Sequence, residues 1–465
     1  MTGSTAASVG MGLGADVTGA LHAPSSRQHQ QQRIIENLRS GVPSPSVALS
    51  FPMGREDILN RIQAKLNGLG KEEGEPERES SATASGGQLF QANYGDGKTH
   101  LLHAIWNLAR TQNCVVSLVS LSKEAQLDKP DRLYARIAAN TFLPDGSQPG
   151  LERLLEWFRP GRPQTEDLLA WAERYLHPKV AAVVRNRIEG PNTGEQEVYK
   201  LDQDLHGILL TMQDLKAIHR LNFGSALRVS PSFKVKRDMP DYFRLVSRMI
   251  RSAGYQGWVI LLDEVELIGR LGRGSRAASY AMLAWLLGEA ASAPGAGPGA
   301  GALTATYTVG VVASNFFSEV LDGRGDAEQA SAWLQDRQRP VEAELAEKAI
   351  ARLLAAEALP SLTRSQLLKV MDQILAAHEG AYNWQAGVTP EELLQRVLET
   401  APEEDVKLRT RIRTAIQWLD LKMQYGAAPR LAVHDLTEEP YDEEPHDEPD
   451  SDPDEKRPPH AGADW

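Results

Sequence analysis

The fold of this chain is decided by the stretch Gln88-Leu-Phe-Gln-Ala-Asn-Tyr-Gly-Asp-Gly-Lys-Thr-His-Leu-Leu-His-Ala-Ile-Trp106. A short strand enters a turn with two glycines, and Gly97-Lys-Thr then opens a helix. Gly95 and Gly97 allow the turn to curl so that consecutive backbone N–H groups point inward, where the positive end of the helix dipole adds to them. The stretch therefore predicts a phosphate-binding loop. The apolar face predicted for the helix consists of Leu101, Leu102, Ile105, Leu108 and Ala109.

Two side chains of this loop have a predicted chemical role. Lys98 is expected to bind the β- and γ-phosphates of ATP, and the Thr99 hydroxyl is expected to ligate Mg²⁺. The Walker A pattern G-x-x-x-x-G-K-[ST] begins with glycine, whereas this chain has Ala92 at that position. The alternative is an ordinary strand, turn and helix without a ligand. The residues predicted to contact the nucleotide are Ala92, Asn93, Tyr94, Gly95, Asp96, Gly97, Lys98, Thr99 and His100.

Two later apolar runs predict further strands, one ending in Asp263-Glu264 and the other in Ser314-Asn315. Continuous apolar runs are typical of strands buried on both faces of a parallel sheet, and ligands bind at the carboxyl ends of such strands. We expect Asp263 to hold Mg²⁺ through water, Glu264 to deprotonate the attacking water, and Asn315 to position that water. Together with the loop, this Walker B ending predicts an α/β P-loop ATPase with a central parallel sheet.

Composition narrows the class of protein. A length of 465 residues allows a large core and two or three folded units. The single cysteine, Cys114, excludes a disulfide framework and a thiolate zinc site, and it is typical of a reducing compartment. No apolar run reaches the roughly 18 residues that a membrane span needs, and the N-terminus lacks a secretion pattern, so we expect a cytoplasmic protein. The formal net charge is −12, and residues 434–465 contain 13 acidic residues against Lys456 and Arg457, so the rest is nearly neutral.

The chain is predicted to divide into four parts. Residues 1–32, rich in Gly, Ala, Ser, Thr and Gln, are expected to be disordered. Residues 33–346 predict the ATPase core, with a mostly helical insertion over about 144–256. Residues 347–428 predict a helical lid, because apolar residues recur there at helical spacing. Residues 429–465 are predicted to form an acidic disordered tail. Its role is either to increase solubility or to bind a basic partner.

Several basic residues are candidates for contacts outside the loop. Arg55 is predicted to lie against the adenine, with an ordinary helix entry as the alternative. One of Arg409, Arg411 and Arg413 is predicted to reach the nucleotide from the lid, and Arg411 is the chosen candidate. Arg337 or Arg339 is a candidate to act in trans on a neighbour's γ-phosphate in a homo-oligomer, although surface ion pairing is the favoured alternative. The basic run 228–251 is a candidate DNA contact, for which a solvated helix face is the favoured alternative.

These motifs carry a family resemblance. The loop, Leu261-Leu-Asp-Glu-Val-Glu and Val312-Ala-Ser-Asn together resemble the AAA+ class, on the side of the origin-recognition ATPases. More narrowly, the region from Arg33 to Tyr425 resembles the BREX phage-exclusion ATP-binding proteins of the BrxD type. The segments that carry this resemblance are Ile34-Ile-Glu-Asn-Leu-Arg-Ser-Gly-Val-Pro, Met53-Gly-Arg-Glu, Asp128-Lys-Pro-Asp-Arg-Leu-Tyr, Ala253-Gly-Tyr-Gln-Gly-Trp-Val-Ile-Leu-Leu-Asp-Glu and the helix from Leu408 to Asp420.

The resemblance implies a place in a bacterial anti-phage complex, with other proteins of that complex as partners. ATP and Mg²⁺ are the expected cofactors, and the expected activity is ATP hydrolysis that drives the complex on DNA. Two other hypotheses stay open. One is a nucleotide-gated scaffold that binds ATP with little hydrolysis. The other is a replication-initiator-like DNA-binding ATPase, which the lack of a winged-helix pattern after the lid disfavours.

Overall fold

The computed structural model describes residues 26–41, 44–51, 54–69, 85–290, 293–294, 302–400 and 407–426. Residues 1–25 and 427–465 lie outside these ranges, so the disorder expected for them stays a prediction. The first helix begins at Ser26 and not at Arg33, so residues 26–32 are helical where disorder was expected. Within the described ranges, no helix is both long enough and apolar enough to cross a membrane.

A six-stranded sheet forms the centre of the molecule. Its spatial order is β3-β2-β4-β5-β1-β6, and every pairing is parallel except that of β2 with β3. β4 and β5 are buried at every position, as expected for strands covered on both faces. The predicted α/β class is thereby confirmed, and the sheet predicted as parallel is mostly parallel, with one antiparallel pairing at its β3 edge. The strands are β1 Gly86–Ala92, β2 Cys114–Ser120, β3 Thr141–Phe142, β4 Gly257–Asp263, β5 Thr306–Ala313 and β6 Glu357–Ala358.

Helices cover both faces of the sheet and form two further regions. The region predicted as a mostly helical insertion contains α6 to α12, and α16 to α18 lie where periodic apolar residues predict helices. The bounds are α1 Ser26–Ser40, α2 Pro45–Ser50, α3 Glu56–Leu66, α4 Lys98–Thr111, α5 Pro130–Ala139, α6 Leu151–Trp157, α7 Pro163–Tyr175, α8 Pro178–Glu189, α9 Glu195–Leu205, α10 Met212–Phe223, α11 Val235–Asp238, α12 Pro240–Ser252, α13 Arg273–Leu286, α14 Asp326–Gln335, α15 Pro340–Leu354, α16 Arg364–Tyr382, α17 Pro390–Thr400 and α18 Leu408–Tyr425.

Buried side chains form three clusters. The largest joins the helices of the insertion region to one face of the sheet and includes Trp258. The second lies under α3 and α4 on the other face and includes Phe90. The third joins α1 and α2 to α16, α17 and α18 through residues such as Ile35 and Ile416. We call this third group the helical unit. It brings the first described helices together with the last ones in a core of its own.

The sheet brings the ends of three strands to one edge. Ala92 at the end of β1 pairs with Ala313 of β5, and the Ser314 N–H donates to the Ala92 carbonyl at 3.2 Å. β4, which ends at Asp263, is the neighbour of β5 on the other side. The carboxyl ends of β1, β5 and β4 therefore lie side by side, and α4 begins directly after the loop that follows β1.

Candidate functional site

The loop between β1 and α4 is a turn whose backbone depends on two glycines. Gly95 and Gly97 have φ angles of 89° and 94°, which residues with a Cβ atom rarely adopt. The Asp96 carboxylate accepts a hydrogen bond from the Asn93 N–H at 3.2 Å and closes the turn. Ala92 is the last residue of a regular strand, so its φ does not require glycine. This explains why alanine is tolerated where the Walker A pattern has glycine.

Two side chains at the start of α4 point back toward the strand ends. The Thr99 hydroxyl donates to a carboxylate oxygen of Asp263 at 2.7 Å. The Lys98 Nζ is buried, 3.4 Å from the Ala92 carbonyl oxygen and 3.7 Å from Glu266 Oε1. The structure therefore brings the predicted cation, hydroxyl and carboxylate together at one edge of the sheet.

β4 ends in Asp263, and Glu264 and Glu266 follow it, so three carboxyl groups lie close together in sequence. Burial raises the pKa of Asp263, against the hydrogen bond from Thr99. Burial, Glu266 and Asp263 raise the pKa of Glu264 to about 7. Sequence reasoning assigned no role to Glu266, although the spacing Asp-Glu-Val-Glu contains it.

Asn315 lies at the same edge but its amide is engaged elsewhere. The side chain is exposed, and its Nδ2 donates to Glu319 Oε1 at 3.1 Å. The strand end is adjacent to the loop, because the preceding Ser314 bonds to Ala92. This bond uses one of the two Nδ2 hydrogens and leaves Oδ1 unused, so a role for Asn315 in positioning water stays a prediction.

The helical unit contacts the loop through the start of α18. The Arg409 N–H donates to the Gly95 carbonyl at 3.2 Å, and its guanidinium donates to the exposed Tyr94 hydroxyl at 3.0 Å. The Lys407 ammonium lies 5.2 Å from the centre of the Tyr94 ring. Sequence reasoning selected Arg411 from the same helix, and that choice stays a prediction. Arg409 was one of the three arginines considered but was not chosen, and Lys407 was missed, because the helix pattern does not reveal which turn meets the loop.

Arg55 and His100 are buried beside the loop. Arg55 donates to the Pro360 carbonyl at 2.6 Å and to the Asp96 carbonyl at 3.4 Å, so it joins the loop backbone to the segment before α16. His100 Nε2 lies 2.7 Å from the Phe51 carbonyl oxygen, and burial lowers the pKa of this imidazole to about 4. Both side chains contact protein backbone, and their predicted nucleotide contacts stay predictions.

The two candidate arginine fingers are engaged within the chain. The Arg337 guanidinium lies 3.8 Å from the centre of the Trp333 ring. Arg339 Nε lies 3.2 Å from Glu342 Oε1. These local contacts agree with the favoured alternative of surface pairing.

The basic run 228–251 is not a continuous cationic surface. Arg244 is buried and bonded to Asp241 at 2.8 Å, and Arg237 forms a pair with Asp238 at 2.6 Å. Arg251 donates to backbone carbonyls. These side chains stabilise the insertion region, so the candidate DNA contact is reduced to the exposed residues Arg228, Lys234 and Lys236.

In the described part of the chain, protein side chains alone do not form a metal site. Among the described residues, no group of three or more His, Cys, Asp or Glu is arranged to hold a metal ion. The donor set of Thr99 and Asp263 nevertheless fits Mg²⁺, which favours oxygen ligands and is held in proteins by few carboxylates together with substrate phosphates.

The comparisons with known proteins yield one family. The model of the family described as BREX system ATP-binding protein BrxC/D matches residues 27–190 and 227–429, which is most of the chain. The match omits residues 191–226, which contain α9 and α10. No curated protein and no solved structure matches the chain. The family resemblance stated from the sequence motifs is confirmed.

Proposed function

The chain belongs to the BREX system ATP-binding protein BrxC/D family, and we propose that it hydrolyses ATP as a nucleotide-driven component of a bacterial anti-phage complex on DNA. The observation that carries the proposal is the 2.7 Å hydrogen bond between Thr99 and Asp263, next to the buried Lys98. A hydroxyl, a carboxylate and an ammonium meet there at the mouth of a glycine loop. This combination supports binding of a triphosphate with a divalent cation.

In this proposal each residue of the site has a separate role. The loop N–H groups and Lys98 bind the phosphate oxygens, and Thr99 together with Asp263 holds Mg²⁺. The bound ion neutralises charge on the β- and γ-phosphates. Glu264 accepts the proton of the attacking water, and its pKa of about 7 in this site suits a general base at neutral pH. Asn315 positions that water through the amide hydrogen or oxygen that its bond to Glu319 does not use.

We assign the helical unit the role of an AAA+ lid. The backbone bond from Arg409 to Gly95 supports this role, because it connects the loop to the unit. Arg55 adds an indirect link, since it bonds to the Asp96 carbonyl of the loop and to the Pro360 carbonyl in the segment before α16. A change of loop conformation with the nucleotide state would alter these contacts and thereby the angle of the lid.

The test is phosphate release by the purified full chain, alone and with duplex DNA. Glu264→Gln removes the proposed base and preserves side-chain size, so turnover falls by at least about 100-fold while ATP binding remains. Glu289→Gln serves as the matched control, because it removes one carboxylate that pairs with Arg352 at the amino end of the sheet. Equal turnover of the Glu264→Gln variant and the wild type would refute the assignment of the base.

A second candidate, a scaffold that binds ATP with little hydrolysis, is favoured by two observations. The Asn315 Nδ2 donates to Glu319, and the two candidate arginine fingers contact residues of the adjacent helices α14 and α15. Under this hypothesis the isolated chain binds ATP but releases no phosphate. Turnover that rises steeply with protein concentration would instead support a homo-oligomer in which a neighbour's arginine completes the site.

The proposed partners are other proteins of the defence system and DNA. Membership of the BREX family supports association with other proteins of that defence system. We propose that the chain contacts DNA through the exposed Arg228, Lys234 and Lys236. The replication-initiator-like alternative would use the same residues. Their replacement by glutamine should weaken DNA binding and reduce its salt dependence. The single cysteine, Cys114, is a buried free thiol, which agrees with the proposed cytoplasmic location.

A further inference from the structure

Glu266 is the carboxylate that pairs with the lysine of the phosphate loop. Its Oε1 lies 3.7 Å from the Lys98 Nζ, and the two side chains are only 16% and 6% exposed. The same ammonium lies 3.4 Å from the Ala92 carbonyl oxygen. The cation expected to bind phosphate is therefore already neutralised by a partly buried carboxylate.

The backbone after β4 is shaped to place Glu266 there. Glu264 has a φ of 58°, a left-handed conformation that is uncommon for a residue with a side chain. The chain then enters a 3₁₀ helix over Val265–Arg270, in which Val265 is fully buried. This sharp turn directs Glu266 back toward the loop, while Val265 packs into the core. The contact with Lys98 thus results from a strained and anchored turn.

We propose that Glu266 is a positioning residue that holds Lys98 in the loop and competes with the nucleotide's phosphate for it. This inference rests on the proposed ATP-binding function. The carboxylate and a phosphate oxygen both require the Lys98 ammonium, which has three N–H donors and lies within hydrogen-bonding reach of Ala92. The ammonium is shared once a phosphate oxygen binds it, so nucleotide binding weakens the pair between Lys98 and Glu266.

The charges around Glu266 add to the cost of this exchange. Lys98 comes from α4, whereas the groups from the end of β4 are the carboxyls of Asp263 and Glu264. Glu266 Oε2 is buried and has no hydrogen-bond donor within the described part of the chain. Once Lys98 turns to phosphate, Glu266 faces two acidic groups with less compensation. The carboxylate consequently lowers the affinity for ATP and favours the empty loop.

The informative variant is Glu266→Gln, which preserves side-chain size and removes the charge. We expect ATP to bind about tenfold more tightly, and KM to change more than kcat, because the variant removes a competitor and leaves the proposed base in place. Without nucleotide the variant should have a lower Tm than the wild type, since Lys98 loses its partner. Saturating ATP should close that gap, because phosphate replaces the carboxylate.

Calorimetric titration of the full chain with ATP, in Mg²⁺ and in EDTA, tests the inference. The tighter binding should appear in both conditions and be absent from the Glu289→Gln control. Equal or weaker binding by a folded Glu266→Gln variant overturns the inference, and so does an effect seen only with Mg²⁺, which would make Glu266 an ion ligand. Glu266→Asp, which shortens the side chain, should bind ATP with intermediate affinity and replaces the glutamine variant if that one does not fold. A wild-type chain that binds no ATP would refute the proposed function itself.

Discussion

Replacing Thr99 with alanine removes the hydroxyl that connects α4 to the end of β4. The Thr99 Oγ1 donates to Asp263 Oδ2 at 2.7 Å, and Asp263 is only 6% exposed. The other carboxylate oxygen accepts the Glu264 N–H at 3.0 Å. The variant therefore leaves a buried carboxylate with one of these two hydrogen bonds.

The expected loss follows from the charge and burial of Asp263. A hydrogen bond to a charged group contributes about 1.5–3 kcal/mol, so we expect the free energy of unfolding to fall by about 2 kcal/mol. The Thr99 bond opposes the effect of burial on the pKa of Asp263, so its removal raises that pKa further. Thr99→Ser retains the hydroxyl and loses one methyl group, which should cost less than about 1 kcal/mol.

Urea unfolding of the nucleotide-free proteins measures the first effect, and calorimetric titration with ATP measures the second. In the wild type and in Thr99→Ser, Mg²⁺ should tighten ATP binding. In Thr99→Ala most of this gain should disappear, because the proposed ion site loses an oxygen ligand. If Thr99→Ala matches the wild type in both stability and Mg²⁺ dependence, the assignment of Thr99 and Asp263 as the ion site is incorrect.

Two further predictions concern buried polar groups. Asp326 accepts hydrogen bonds at 2.6 and 2.7 Å from the buried Arg276. Asp326→Ala should therefore lower the free energy of unfolding, measured by urea unfolding, by about 3–5 kcal/mol, and a loss below about 1 kcal/mol would contradict this. Because burial lowers the pKa of His100 to about 4, the unfolded chain binds more protons than the folded chain between about pH 6.5 and 4, and stability should decrease as the pH falls through that window. His100→Asn should flatten this dependence by up to about 3 kcal/mol, and an unchanged slope would exclude the imidazole as its source.

Local patterns predict the parts of this protein whose structure depends on neighbours in sequence. The glycine turn between β1 and α4 could be predicted because its glycines and Lys98-Thr99 are contiguous, and β4 could be predicted from an unbroken apolar run. The helical state of residues 26–32 could not. That polar segment is stabilised by distant contacts, in which the side-chain amides of Gln28 and Gln32 donate to the Ala381 carbonyl at 3.2 and 3.0 Å. Such contacts leave no periodic signal.

The candidate site likewise combines features that local sequence patterns predict with contacts that only the fold reveals. Sequence order indicates that Asp263 and Thr99 meet, but it does not reveal that Glu266 contacts Lys98 after a left-handed residue. Basic composition predicted a surface around Arg244, whereas the fold buries this arginine against Asp241. Their spacing of three residues on one helix was a usable signal for an internal ion pair.

Hydrogen bonds connect the loop and the segment before α3 to the helical unit and to the segment that leads into it. Arg55 bonds to the carbonyls of Asp96 and Pro360, the Gln366 amide of α16 donates to the Gly54 carbonyl at 2.9 Å, and the Arg409 N–H of α18 donates to the loop. Hydrogen bonds to backbone carbonyls depend on direction, so they do not stretch continuously as the loop moves. A change at Gly95 must therefore either carry the start of α18 with it or break the bond. Because α1 and α2 share a core with α16 to α18, movement of α18 would reach the first described helices as well.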